Sequence, residues 1–112
     1  MPQLNQLKLY NDTKTIVESG WCREAYARDS DGFPVVFESN KATSFCLMGA
    51  TYRAALMQMY RSPIIQEICA PYIEALEKYT KGTMVSVWND HQTTTKEDVI
   101  RLLDQVIADI QK

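Results

Sequence analysis

SNKATSFCLMGATYRAALMQMY, residues 39–60, is the stretch whose reading decides the fold. Ser39 and Asn40 are good helix N-caps, because their short polar side chains accept hydrogen bonds from amides that a first turn leaves unpaired. Ala42, Phe45, Cys46, Gly49, Ala50, Arg53 and Met57 then recur at intervals of three and four, the spacing of one helix face. A helix is therefore expected from about Ser39 to Tyr60. Its middle is small: Cys46, Gly49 and Ala50 form a flat strip on which another backbone can come close. Close packing of a second helix is the expected offset to an interior glycine, which costs roughly 1 kcal/mol relative to alanine.

Toward the N-terminus, Leu4, Leu7, Tyr10 and Val17 fall at helical intervals, and Gly20 follows where a helix would need a left-handed residue to stop. One long helix over Leu4 to Ser19 is preferred; the alternative caps it at Asn11 or Asp12 and leaves Leu7 to Tyr10 extended. Between Trp21 and Ser39 the period shortens. Ala25 to Arg28 and Phe33 to Phe37 read as two extended pieces about an Asp31-Gly32 turn, with Pro34 confined to an edge.

Toward the C-terminus, Ser62-Pro63 reads as the N-cap and first residue of a third helix, whose stripe is Ile65, Ile68, Tyr72, Leu76 and Tyr79. Pro71 removes a hydrogen bond and predicts a kink, or two short helices meeting at Cys69-Ala70; Lys78, Lys81 and Gly82 end the segment. Met84 to Trp88 reads as an extended link. Thr94 with Glu97, or Thr95 with Asp98, supplies a capping box for a final helix on Val99, Leu102, Leu103, Val106 and Ile110. The expected fold is mainly α: a compact bundle of about four helices, with a short extended segment or β-hairpin between helices 1 and 2.

The chain has 112 residues, 46% hydrophobic and 23% charged, which fits one globular domain over the whole length. Such a length buries roughly 65% of the unfolded surface, so no cofactor is needed for folding and none is expected. With a formal net charge of -2 and interleaved signs, nucleic-acid binding is disfavoured. Cys22, Cys46 and Cys69 show no Cys-x-x-Cys spacing, so no metal site is expected and reduced thiols in a cytoplasm fit best. The N-terminus carries no export signal, and no segment approaches the roughly 20 apolar residues of a membrane span.

Chemistry, if present, gathers at Cys46, Asp90 and His91, which would supply nucleophile, orienting group and base. A working cysteine needs a lowered pKa, and Cys46 lies about two turns inside its expected helix, where burial raises it. The simpler reading makes Cys46 a small core residue, Asp90 an acceptor of loop amides, and Trp88 a core anchor with Trp21-Cys22 as its counterpart. Trp88, Asn89 and Asp90 are nevertheless binding candidates, since with Thr93 to Thr95 they would line a polar pocket near Cys46. Arg53 and Tyr60, among neighbouring Arg, Tyr and Met residues, are candidates for the rim of a protein interface.

The chain resembles a family of small bacterial and bacteriophage proteins classified only as a domain of unknown function. The likeness lies in Trp21-Cys22, the Asp31-Gly32 turn, Ala42 through Phe45-Cys46-Leu47-x-Gly49-Ala50, and Trp88-Asn89-Asp90 followed by Thr95 and Glu97-Asp98-Val99. It implies a mostly helical cytoplasmic protein and transfers no activity, cofactor or catalytic residue. The leading expectation is a non-enzymatic interaction protein with an unidentified protein partner, homo-oligomer formation being compatible with it. The alternative is a thiol-dependent enzyme or small-molecule-binding protein using Cys46, Asp90 and His91.

Overall fold

Asn5 begins the first helix, its side-chain oxygen accepting from the Lys8 amide at 2.9 Å. The structure, a computed structural model, describes residues 4–58 and 63–112. Helix α1 (Gln6–Ser19) is the single long helix expected. Asn11, Asp12 and Thr13 do not interrupt it, because each side chain bonds one turn back: Asn11 Nδ2 to the Leu7 carbonyl, Asp12 to Lys8 Nζ, Thr13 Oγ1 to the Leu9 carbonyl. Gly20 ends it for a different reason from the one expected. Its φ of 174° is extended, not left-handed. A Cβ at this position would overlap the Thr43 carbonyl oxygen and come within 3.1 Å of Ser44 Cα, so glycine is required by the passing chain.

Strands β1 (Ala27–Arg28) and β2 (Pro34–Val35) form the expected antiparallel hairpin, with Gly32 at φ 86° in its turn. Pro34, which has no amide hydrogen, lies on the edge strand of the order β2-β1-β3. The third strand, β3 (Ser44–Phe45), pairs antiparallel with β1. On its other side Phe45 makes a parallel bridge to Trp21.

That strand occupies sequence expected to be helix. Ser39 Oγ accepts from the Lys41 amide and the Ser39 carbonyl from the Ala42 amide, so the supposed cap residues make a tight turn instead. Helix α2 (Leu47–Gln58) starts one residue after Cys46. Cys46 is its cap: the carbonyl accepts from Ala50 at 2.8 Å and Sγ from the Gly49 amide at 3.2 Å. The close approach at Gly49 is real, but its partner is the backbone of Tyr26 and not a helix. An added Cβ would overlap the Tyr26 carbonyl oxygen and lie 2.7 Å from its carbon.

Helix α3 (Ile65–Leu76) runs through Pro71 as one segment. Pro71 and Glu67, whose carbonyl loses its donor, are both exposed, so water can replace the missing bond and no break is required. The helix stops at Leu76, short of Tyr79, and Lys81 and Gly82 close the following turns at φ 57° and 81°. The expected helix end at Tyr60 and cap at Ser62 lie outside the described residues.

Met84 to Trp88, expected to be extended, instead enters helix α4 (Val85–Asp90). Its β-branched residues favour a strand locally, but a helical turn puts Val85 and Asn89 on one buried face, and that burial overrides propensity. Helix α5 (Lys96–Ile110) has the Thr95–Asp98 capping box and buries Val99, Leu102, Leu103 and Val106. Five helices and one three-stranded sheet among the described residues make a mainly α fold. α2 packs on α1, α3 and α4, and α1 packs on α5. A single apolar cluster joins Leu9 and Val17 of α1, Ala54 of α2, Leu76 of α3, Val85 of α4 and Leu103 of α5.

Candidate functional site

Asn89 is fully buried at the last turn of α4, and three of its four side-chain hydrogen bonds cross the fold. Oδ1 accepts from Trp21 Nε1 at 2.8 Å and from the Leu47 amide, the first of α2, at 2.9 Å. Nδ2 donates to the Cys22 carbonyl at 3.2 Å and to Asp90 Oδ1 at 3.1 Å. One residue thus ties the segment after α1 to the starts of α2 and of the final loop. Asp90 Oδ1 also accepts from the Glu24 amide at 2.9 Å. Glu24 holds a φ of 63°, which for a residue with a Cβ costs about 1–2 kcal/mol, and the carboxylate offsets that cost.

Beside this junction lies a cavity of about 350 Å³, lined by Glu24, Ala25, Tyr26, Cys46, Ser86 and Asp90. The structure therefore brings Cys46 and Asp90 together. His91 is exposed, and its Nδ1 faces Thr93, 3.2 Å from the amide and 2.8 Å from Oγ1. Burial pushes the Cys46 thiol up to about 11, only partly countered by the Gly49 amide. Cys46 stands at a helix N-terminus, which alone would favour thiolate; desolvation wins.

The pocket expected to gather Asn89, Asp90 and the threonines divides in two. Trp88, Thr93 and Thr94 line a separate depression of about 500 Å³ with Tyr79, Asp98 and Arg101. Thr94 Oγ1 donates to the Trp88 carbonyl at 2.7 Å, and the Thr94 carbonyl accepts from Arg23 Nη2. The Arg23 guanidinium carbon lies 4.7 Å from the centroid of the Trp21 ring. Arg53 donates to the Phe37 and Ser39 carbonyls at 2.8 and 3.1 Å, clamping the turn ahead of β3. Tyr60 lies outside the described residues. Glu24, Tyr26 and Ser86 were missed as cavity residues, and no local signal marks them: the left-handed Glu24 is imposed by Asp90, 66 residues away.

Among the described residues no helix is long and apolar enough to cross a membrane. The architecture defines a mainly helical class of protein, organised around one apolar core and a polar junction at Asn89. The chain belongs to the family of unknown function DUF6197, whose model spans residues 1–109 and so nearly the whole chain. The family likeness read from the sequence motifs is thereby borne out at the level of an uncharacterised family. No curated protein and no solved structure matches the chain.

Proposed function

We propose that the protein is a non-enzymatic interaction protein of the cytoplasm, a phage or bacterial accessory factor or inhibitor that binds a protein partner. The observation that carries this reading is a set of exposed apolar side chains on and beside the hairpin: Phe33 is 67% exposed, Val36 64% and Tyr26 43%, groups that gain most from being covered. The polar residues that looked like a site are meanwhile engaged inside the molecule: Asn89 in the junction, Arg53 on two carbonyls, Asp90 on the Glu24 amide. Against thiol catalysis stand a Cys46 thiol that is neutral at pH 7 and a His91 outside the set of residues lining its cavity.

The test is affinity capture from bacterial lysate with wild-type bait and a Phe33→Ser/Val36→Ser bait, followed by direct binding of any captured protein. A partner whose affinity falls at least tenfold on the double variant, about 1.4 kcal/mol, supports the reading. Wild-type bait that retains only a metabolite, or a partner indifferent to both substitutions, overturns it. A second reading, a small-molecule-binding protein using Cys46 and Asp90, is favoured by the cavity those two residues share. The metabolite outcome would put it first.

A further inference from the structure

We propose that Cys22 and Cys46 are a reversible disulfide-forming pair, a modification site oxidised by a small disulfide that enters the cavity beside Cys46. Far apart in sequence, the two cysteines are set side by side by the sheet. The Phe45 amide donates to the Gly20 carbonyl at 3.0 Å and the Cys22 amide to the Phe45 carbonyl at 3.2 Å, closing the parallel Trp21–Phe45 bridge. The next residue along each chain is Cys22 and Cys46. Neighbouring strands lie about 4.7–4.9 Å apart and paired side chains share a face. A disulfide spans Cα separations of about 4.4–6.8 Å, a range that includes the spacing of neighbouring strands.

Both thiols are free and buried; Cys22 Sγ donates to the Ala25 carbonyl at 3.6 Å and has Ser44 and Arg28 beside it, and Cys46 Sγ accepts from the Gly49 amide. The Asp90 carboxylate disfavours the thiolate of both, and a Cys22 charge disfavours that of Cys46, as expected for groups sharing one small volume. Cys46 lines the cavity and is the sulfur an incoming molecule meets. The charged groups facing the pair are Asp90 from α4, Glu24 in the cavity wall and Arg28 of β1, which acts on Cys22.

The exchange balances without any other reactant. Cys46 loses its proton and its thiolate attacks one sulfur of the small disulfide; that S–S bond breaks and one small thiolate leaves. Cys22, likewise deprotonated, attacks Cys46 Sγ in the mixed disulfide, and the second small thiolate leaves. The protein gives up two electrons to the small disulfide, and the two thiol protons end on the released thiols.

The experiment treats the native full-length chain with 4,4′-dithiodipyridine, reading released 4-thiopyridone, intact mass and a non-reducing peptide map. Expected are two thiopyridones per chain, a mass lower by two hydrogens, a Cys22–Cys46 linked peptide, and reversal by dithiothreitol. The rate should rise about tenfold per pH unit from pH 7 to 9, following the thiolate fraction of a group at about 11. Cys22→Ser, or Cys22→Ala if the serine variant folds poorly, should release one thiopyridone and keep the adduct on Cys46. Cys69, fully buried on α3, is the internal control. A stable Cys46 adduct in the wild type, a link through Cys69 or between chains, or no reaction before denaturant is added would each overturn the pair.

Discussion

Along α5 the inward face is Val99, Leu102, Leu103 and Val106, all hydrocarbon, and it is held by burial worth about 1.5–3 kcal/mol for each large side chain. At the end of α4 the inward residue is Asn89, held by hydrogen bonds to Trp21, Leu47 and Cys22. The two regions respond differently to change. An apolar face loses stability in proportion to the volume removed, so one methyl more or less is a modest perturbation. The junction depends on backbones in contact and on donors and acceptors that match one for one, so a single atom matters.

The largest effect should come from adding one carbon to the junction. Gly49→Ala forces a Cβ into the Tyr26 carbonyl, and neither backbone can yield without breaking β1–β3 pairing. Urea denaturation should show a loss of more than about 3 kcal/mol, the upper range of overpacking. Leu103→Val, which removes one methylene from the apolar face, should cost only about 1 kcal/mol. Equal losses would erase the distinction between the two regions.

Next in size is Asn89→Ala. It leaves the Trp21 indole N–H, the Leu47 amide and the Cys22 carbonyl without their partner. Unpaired buried groups cost about 1–3 kcal/mol each, and partial rescue by water should hold the total near 3 kcal/mol. The Trp21 indole proton resonance reports the same event, moving away from its hydrogen-bonded position in the folded variant. Asp90→Ala should lose about 1–2 kcal/mol, since the Glu24 amide and one Asn89 proton lose an acceptor, while Asp90→Asn keeps an acceptor and should lose less. If both Asp90 variants match the wild type in stability, the residue has no structural duty and ligand binding becomes its better explanation.

The same contrast explains what was legible in the sequence. α1 and α5 carry their own period, which was enough to place them, although Asn5 was not read as a cap and Thr94–Glu97 stood beside Thr95–Asp98 as the capping box. Gly49 signalled a close approach but not to what, because its partner Tyr26 is fixed by sheet pairing between distant segments. Residues 39–46 misled for a related reason: Ser39 and Asn40 cap helices and make turns equally well. What chose the turn was Phe45, 5% exposed between Ala27 and Trp21 in the sheet, a position no helix beginning at residue 39 can give it. The Met84–Trp88 error was the same in reverse, with β-branched residues held helical by burial of Val85 and Asn89. At the site, Asp90 was read as an acceptor of loop amides, and it does accept from the Glu24 amide. A pocket near Cys46 was expected too, but apart from Cys46 and Asp90 not its lining, since its wall is assembled from side chains of three separate segments.

The smallest expected effect lies at the legible end of the molecule. Asp98 Oδ2 accepts from the Thr95 amide at 2.9 Å, and that bond, followed by its contacts to the Thr95 hydroxyl and Arg101, holds the carboxyl below its ordinary value of 3.8. A carboxyl depressed in the folded state stabilises fully above its unfolded value, and the contribution disappears as pH falls through the folded one. Asp98→Ala should therefore cost about 1 kcal/mol at pH 7, the ordinary worth of a cap, read as a shift of the urea midpoint. The gap between variant and wild type should narrow as pH drops below about 4, because the wild type then loses what the variant already lacks. The Asn89→Ala gap should not narrow in that range, since the Trp21 indole, the Leu47 amide and the Cys22 carbonyl do not titrate. Parallel narrowing of both gaps would mean that the junction is not held by these neutral groups, and the contrast between a capped helix and a neutral polar hub would have to be redrawn.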